Sequence, residues 1–218
     1  SLEEQKKSIE RTIAWAKKCK SEFLKQTIKL KHKPLLFAII QGGNNKLLRF
    51  QCAQELIKIG FDGYAFGGWP ADKDGKFLHE LLKYTVELMP NNKPKYAMGV
   101  GFPEDIAYCV SIGYDMFDCV IPTREARNNR LYAFKKNPRK LKLKDLKTKD
   151  FYEYVRIRNS KYHSDLSKLS KFCDCHTCKN YSKSYLYNLF KQKDSLSIRL
   201  ATIHNLRFYS MLIERLKK

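Results

Sequence analysis

No stretch of the 218-residue chain approaches the roughly 18 consecutive apolar residues that a membrane-spanning helix needs. Nor does an apolar core follow a basic start, as it would in a secretory leader. Cysteines are few and odd in number, seven in all, which argues against a paired disulfide framework. These absences speak against a membrane anchor and point to a reducing, cytoplasmic compartment. Acid is scarce too: 22 Asp and Glu stand against 43 Lys and Arg, for a formal net charge of +21, far more than solubility requires. Such an excess fits a polyanionic partner, most commonly nucleic acid, although a coding bias toward lysine would also raise it. An initiator Met is missing as well. The chain starts at Ser1 inside what reads as the middle of an amphipathic helix, so a piece of a longer protein is expected.

What the chain does contain is enough apolar material for a good-sized core, at 43% hydrophobic residues. Ile9, Ile13, Ala14, Trp15 and Ala16, interleaved with Lys17, Lys18 and Lys20, give a helical period up to about Phe23. The short apolar run from Leu35 to Ile40, closed by Gly42 and Gly43, predicts a buried strand and a turn. NNKLLRFQCAQELIKIG returns to the helical period and stops at Gly60. The unit then repeats: FDGYAFGG as strand, KFLHELLKYTVELMP as helix, KPKYAMGVG as strand, PEDIAYCVSIG as helix and YDMFDCVIPT as strand. Strands alternating with helices predict an α/β fold with a parallel sheet and right-handed crossovers. Four such units make half of a (β/α)8 TIM barrel, with a four-stranded open sheet as the rival. Either way, the working residues belong at the carboxyl ends of the strands.

Beyond Thr123 the character changes. KKNPRKLKLKDLKTKD, Lys135 to Asp150, is dense in lysine and reads as a solvated loop or flap. The expected division is a β/α portion over 1–130, a lysine-rich insertion over 131–155, and a tail over 156–218 with helical stretches at about Lys179–Lys191 and Leu196–Leu216. That tail is too small to be stable without help, and CDCHTC suggests the help. Cys173, Cys175 and Cys178 supply three thiols where zinc prefers four sulfur and nitrogen ligands in a tetrahedron. His204, on a predicted helix able to fold back, is the best fourth ligand. His176 competes, although a ligand flanked by cysteines on both sides strains a four-point site. A closed four-ligand site predicts a structural Zn2+ rather than a catalytic one.

Several stretches together resemble one family: FAIIQGG (37–43), GFDGYAFGG (60–68), MGVG (98–101), DMFDCVIPTR (115–124), RNSKY (158–162), CDCHTC (173–178) and TIHNLRFY (202–209). The chain is similar over essentially its whole length to the tRNA-guanine transglycosylases, the queuine or preQ1 tRNA-ribosyltransferases, and corresponds to their C-terminal half to two-thirds. The resemblance implies the last four or so units of a (β/α)8 barrel with an appended zinc subdomain. It also implies exchange of guanine at position 34 of tRNAs with a GUN anticodon for a 7-deazaguanine base, queuine or preQ1. Asp118 matches the nucleophile that forms a covalent ribosyl-enzyme intermediate, Asp115 lying on the other strand face. Gln41 and Gly68 match positions that hydrogen-bond the base, with Gly67 and Gly68 letting backbone approach it closely, and Met98 and Gly99 match the apolar side of its pocket. Arg124 and Arg127 match contacts to the anticodon loop, and Cys173, Cys175, Cys178 and His204 match the zinc ligands. Implied partners are the tRNA, the base, the amino-terminal half of the barrel, and a second subunit, identical or a paralogue.

The chain departs from that pattern in places. Trp69 and Pro70 in GGWPADKDG replace a small-residue loop over the base's 7-substituent, and Phe102 in FPED replaces a basic residue. The insertion from Lys135 to Asp150 is longer than the family's hairpin. A second catalytic Asp lies in the amino-terminal half, outside this chain, so this portion alone is expected to be inactive. A non-catalytic tRNA-binding paralogue and a DNA-acting 7-deazaguanine ribosyltransferase are the alternatives.

Overall fold

The computed structural model describes residues 2–217, so the outermost residues of the first and last expected segments, 1 and 218, lie outside it. Two compact units emerge: residues up to 100 with 109–118, and residues 101–108 with those from 119 onward.

The first unit opens with helix α1 (Leu2–Thr27), which has Glu3 and Glu4 in its first turn and Lys25 in its last, charges that suit the helix dipole. Four strands follow: β1 (Phe37–Ile40), β2 (Gly63–Phe66), β3 (Lys95–Ala97) and β4 (Met116–Phe117). Between them in sequence lie α2 (Lys46–Ile59), α3 (His79–Glu87) and α4 (Pro103–Ser111), whose residues 103–108 belong to the second unit. Asn45 caps α2 by accepting from Leu48 N at 3.1 Å, and Gly60, at φ 80°, ends it as its sequence position predicts. The strands pair in parallel in the order β1-β2-β3-β4. That order never reverses, whereas doubly wound open sheets have a switch point. Successive β/α units in unbroken order are an arc of a (β/α)8 barrel, and the open-sheet rival is set aside.

β4 is shorter than its sequence suggests. The strand ends at Phe117, and Ile121–Arg127 form helix α5, with Pro122 in its first turn. Proline's fixed φ and missing N–H suit that position, so VIPT starts a helix instead of extending the strand.

The second unit contains α5 and an antiparallel hairpin of β5 (Arg130–Phe134) and β6 (Tyr152–Arg156). Four more helices follow: α6 (Leu143–Leu146) within the hairpin connection, α7 (His176–Asn180), α8 (Lys183–Lys191) and α9 (Ser195–Leu216). The lysine-dense connection is not the solvated flap expected from composition. Its lysines face water, but Leu141, Leu146 and Phe151 are buried, and Arg215 Nε donates to Leu141 O at 2.6 Å. Three widely spaced apolar residues suffice to fold a segment that averages as hydrophilic. Helix α9 is tied down by buried Asn205, which donates to Pro122 O at 2.9 Å and Arg130 O at 3.1 Å and accepts from Tyr132 N at 3.1 Å. Around it, Phe208 stacks on Tyr132 and Phe134, with ring centroids 5.1 and 4.2 Å away.

Asp105, half-buried in the first turn of α4, has its pKa pushed up to about 7 by burial and by neighbouring Glu104, with Lys149 pulling the other way. A raised carboxyl pKa means the folded state holds a proton that the unfolded state releases. This contribution to stability is full below the ordinary value near 4 and is lost as pH rises toward 7. Asp105→Asn is therefore expected to stabilise the protein at pH 8, by about 2 kcal/mol given the partial exposure, and to have little effect at pH 4. Denaturant melts of both proteins across that range check it; a variant no more stable at pH 8 contradicts it.

Candidate active site and metal centre

The carboxyl ends of the four parallel strands carry, in order, Gln41 after β1, Gly67 and Gly68 after β2, Met98 and Gly99 after β3, and Asp118 after β4. Every first-unit site residue expected from sequence thus falls along the row where α/β proteins place their chemistry. Asp115 lies at the opposite end of β4, where its carboxylate accepts from Lys95 N at 2.9 Å at the start of β3. That contact makes it a structural brace and separates its role from that of Asp118.

Asp118 is exposed, and its Oδ1 accepts from Gly99 N at 3.0 Å. Gly99 has φ 73°, a left-handed conformation that a side chain would resist, so glycine is what lets this N–H face the carboxylate. The Tyr96 hydroxyl is a second hydrogen-bond donor to Asp118; burial and that carboxylate push its pKa up to about 12, which keeps the phenol protonated. The carboxylate is thus held from β3 by a backbone and a side-chain donor. Nearby, Gly67 packs directly on Gln41: a Cβ there would lie 2.8 Å from both Gln41 Cδ and Nε2. Any larger residue would displace the amide. Met98 is half-buried, whereas Trp69 is 86% exposed, and the loop it begins is closed by an Ala71–Phe77 bridge.

Two residues of this site were not singled out from sequence. Tyr96 is one; the available signal was its place in β3 just before the MGVG turn. Arg49 is the other. It is 1% exposed, and its guanidinium donates to Gly43 O (2.7 Å), Ile40 O (3.2 Å) and Gly67 O (2.9 Å) while stacking 4.4 Å over Phe66. One buried cation therefore ties together the loops after β1 and β2. Burial pushes its pKa down to about 10, so it remains charged at neutral pH. Its signal was an arginine at helical spacing with Cys52, Ala53 and Leu56, the apolar stripe of α2. Lysine cannot reproduce a three-way fork. Arg49→Lys is expected to cost about 2–4 kcal/mol, because buried carbonyls lose their donors. Urea unfolding measures this; a loss below about 0.5 kcal/mol, the scale of an ordinary surface change, contradicts it.

In the second unit, Cys173, Cys175, Cys178 and His204 are all buried, and their ligand atoms lie within 4.8 Å of one another. His204 Nδ1 is 3.3 Å from Cys178 Sγ and 3.6 Å from Cys175 Sγ. Its Nε2 donates to Tyr132 O at 2.7 Å, which turns Nδ1 toward the sulfurs. His204 is the histidine that the fold brings to the three sulfurs, whereas His176 is exposed and pairs with Asn180 at 3.1 Å. Hydrogen bonds from Cys173 and Cys178 favour the thiolate of Cys175, while Cys178 is pushed the opposite way by the same crowding. Three sulfurs and an imidazole, buried and convergent, make a cluster competent to hold a metal ion and fit zinc's donor preference.

Arg124 and Arg127 stand in the last turn of α5, both exposed, in the second unit. Among the described residues, no helix is long and apolar enough to cross a membrane.

Unbroken parallel β/α units with polar groups gathered at their strand ends define a β/α-barrel protein, and the same chain carries a buried Cys3His cluster competent to hold a metal ion. The chain belongs to the queuine tRNA-ribosyltransferase family, whose profile matches residues 1–218. It is 44% identical over 212 residues to the queuine tRNA-ribosyltransferase of Mannheimia succiniciproducens, covering 97% of this chain and 50% of that protein. For those of Actinobacillus succinogenes and Haemophilus ducreyi the identities are 43% and 42%, covering 98% and 100% of this chain and 51% and 52% of the relatives. The chain spans about half the length of the curated relatives it matches.

Proposed function

We propose that this chain supplies the nucleophile-bearing portion of a tRNA-guanine transglycosylase, which replaces guanine at anticodon position 34 with queuine or preQ1. The observation that carries this reading is Asp118 at the carboxyl end of β4, held by Gly99 N and the Tyr96 hydroxyl beside the glycine- and glutamine-bearing ends of β1–β3.

In the reaction, an Asp118 carboxylate oxygen forms a bond to ribose C1′ as the bond from C1′ to guanine N9 breaks. The electron pair leaves with the purine, which takes up a proton. The incoming base then attacks C1′ through its own ring nitrogen, loses the corresponding proton and frees the carboxylate. A carboxylate suits both steps, since it stabilises the oxocarbenium-like charge and traps it. Gln41 and the backbone at Gly67 and Gly68 present the amide groups that would read the base. Met98 and Gly99 would form its apolar wall, and Arg124 and Arg127 would contact the anticodon loop. Cys173, Cys175, Cys178 and His204 would hold a structural Zn2+, whose part is to fix the fold of the second unit.

Residues 1–130 are read as the carboxyl-terminal half of the barrel, 131–155 as the lysine-rich insertion and 156–218 as the zinc subdomain. β1 and β4 each have one edge without a strand partner among the described residues, which supports a completing amino-terminal half. The complete enzyme is proposed to act in the cytoplasm as a homodimer or with a paralogue. Asp118 with both its donors in place weighs against a non-catalytic accessory subunit. The test is incorporation of radiolabelled guanine into a tRNA with a GUN anticodon by the full-length protein, beside the same tRNA carrying adenosine at position 34. Label in the first alone supports the reading; label in neither overturns it.

A further inference from the structure

We propose that Arg49 is a positioning residue for base recognition: from inside the protein it fixes the Gly67–Gly68 peptide so that the Gly68 N–H faces the opening at the strand ends and reads the 6-carbonyl oxygen of a purine. A peptide group is planar and trans, so its C=O and N–H point in opposite directions. Arg49 Nη2 holds the inward end by donating to Gly67 O at 2.9 Å, which sends the Gly68 N–H outward. Gly68 is exposed, and its N–H has no acceptor among the described residues. Such a peptide does not keep its plane unaided. It lies between two glycines, with Gly68 at φ 102°, so no side chain resists its rotation. Arg49 can hold it because the guanidinium is itself fixed, through Nε to Gly43 O at 2.7 Å and Nη1 to Ile40 O at 3.2 Å, at 1% exposure. Its charge has a use as well. Burying a cation is costly, and among the described residues Arg49 has these carbonyls and no carboxylate for partners. A cation on Gly67 O draws electron density through the amide and makes the Gly68 N–H a stronger donor.

The acceptor that suits this donor is a carbonyl oxygen. Guanine carries one at C6 and a 7-deazaguanine keeps it, so one contact serves the outgoing and the incoming base. Naming the base as the ligand rests on the transglycosylase reading above; the hold on the peptide does not. The experiment measures equilibrium binding of guanine and of 2-aminopurine, which lacks the 6-oxygen, to the full-length parent, to R49K and to L82A. Leu82 is a buried residue of α3, an element that contributes nothing to the strand-end loops, so L82A lowers stability alone. One misdirected hydrogen bond is worth roughly tenfold in affinity, so R49K is expected to lose roughly tenfold of the preference for guanine over 2-aminopurine. L82A is expected to stay within about twofold of the parent, because distant sites act independently. R49K that keeps the parent's preference, or L82A that loses as much, overturns the proposal.

Crystal structures form the second arm, which does not depend on the stability of a variant. In the full-length parent soaked with guanine, Gly67 O is expected on Arg49 and Gly68 N within about 3.2 Å of the 6-oxygen. A Gly67 carbonyl turned away from Arg49 in that crystal, or a peptide unmoved in R49K, overturns the proposal. If the parent binds no guanine yet R49K turns the peptide, the transglycosylase reading fails while the hold of Arg49 on the peptide stands.

Discussion

Full-length protein carrying Asp118→Asn is expected to lose guanine exchange by a factor on the order of 10⁴ or more while binding tRNA as the parent does. The size follows from the role: an amide of the same shape cannot form the ester to C1′, so the covalent route closes rather than slows. Retained binding follows from the geometry. An Asn side-chain oxygen still accepts from Gly99 N, and the exposed position of residue 118 makes no demand on the core. The two readouts therefore separate. Exchange within about a hundredfold of the parent contradicts the assignment of the nucleophile, because a misplacement of about 1 Å alone has an effect of that size. A joint loss of exchange and tRNA binding would assign Asp118 to the architecture of the site instead.

Removal of the metal is expected to have the largest effect on stability. The full-length protein should contain about one zinc per chain, and a strong chelator or Cys178→Ser should abolish cooperative unfolding of the second unit. Structural zinc contributes on the order of 10 kcal/mol to small metal-binding domains, more than a unit of this size can spare. The connection to the rest of the unit runs through His204, whose Nε2 holds Tyr132 O at 2.7 Å in the middle of the aromatic cluster with Phe208. Loss of the near-ultraviolet tyrosine signal on chelation is the specific signature. A protein that carries no metal, or that melts identically after Cys178→Ser, contradicts the structural zinc.

Much of this was legible in sequence because the signals were local. The apolar run closed by Gly42 and Gly43, the helix stop at Gly60 and the repeated alternation of strand and helix are all read within a dozen residues. Cys173, Cys175 and Cys178 announce a metal by spacing alone, and the fold brings His204 to them from 26 residues beyond Cys178. What was missed depends on tertiary context. Arg49 reads as an ordinary surface arginine until backbone carbonyls from the end of β1 and from the loops after β1 and β2 converge on it. Tyr96 gains its role only when β4 lies beside β3 and puts Asp118 within reach. The end of β4 was misplaced because Val120, Ile121 and Pro122 are compatible with a strand end, while Pro122 is also preorganised for a helix start. The lysine-rich connection was judged by its average, and the average hides Leu141, Leu146 and Phe151.

The central claim is a covalent bond between Asp118 and ribose C1′. Its most direct test is to mix the full-length protein with a tRNA bearing guanosine at position 34, quench in denaturant, and look for a protein–RNA adduct on a denaturing gel. Digestion and mass spectrometry would then locate the ribose. The account predicts an adduct on Asp118 that is absent from Asp118→Asn and disappears when excess guanine is added before quenching. An adduct on Asp115, or exchange that proceeds with no adduct at any time point, would contradict it.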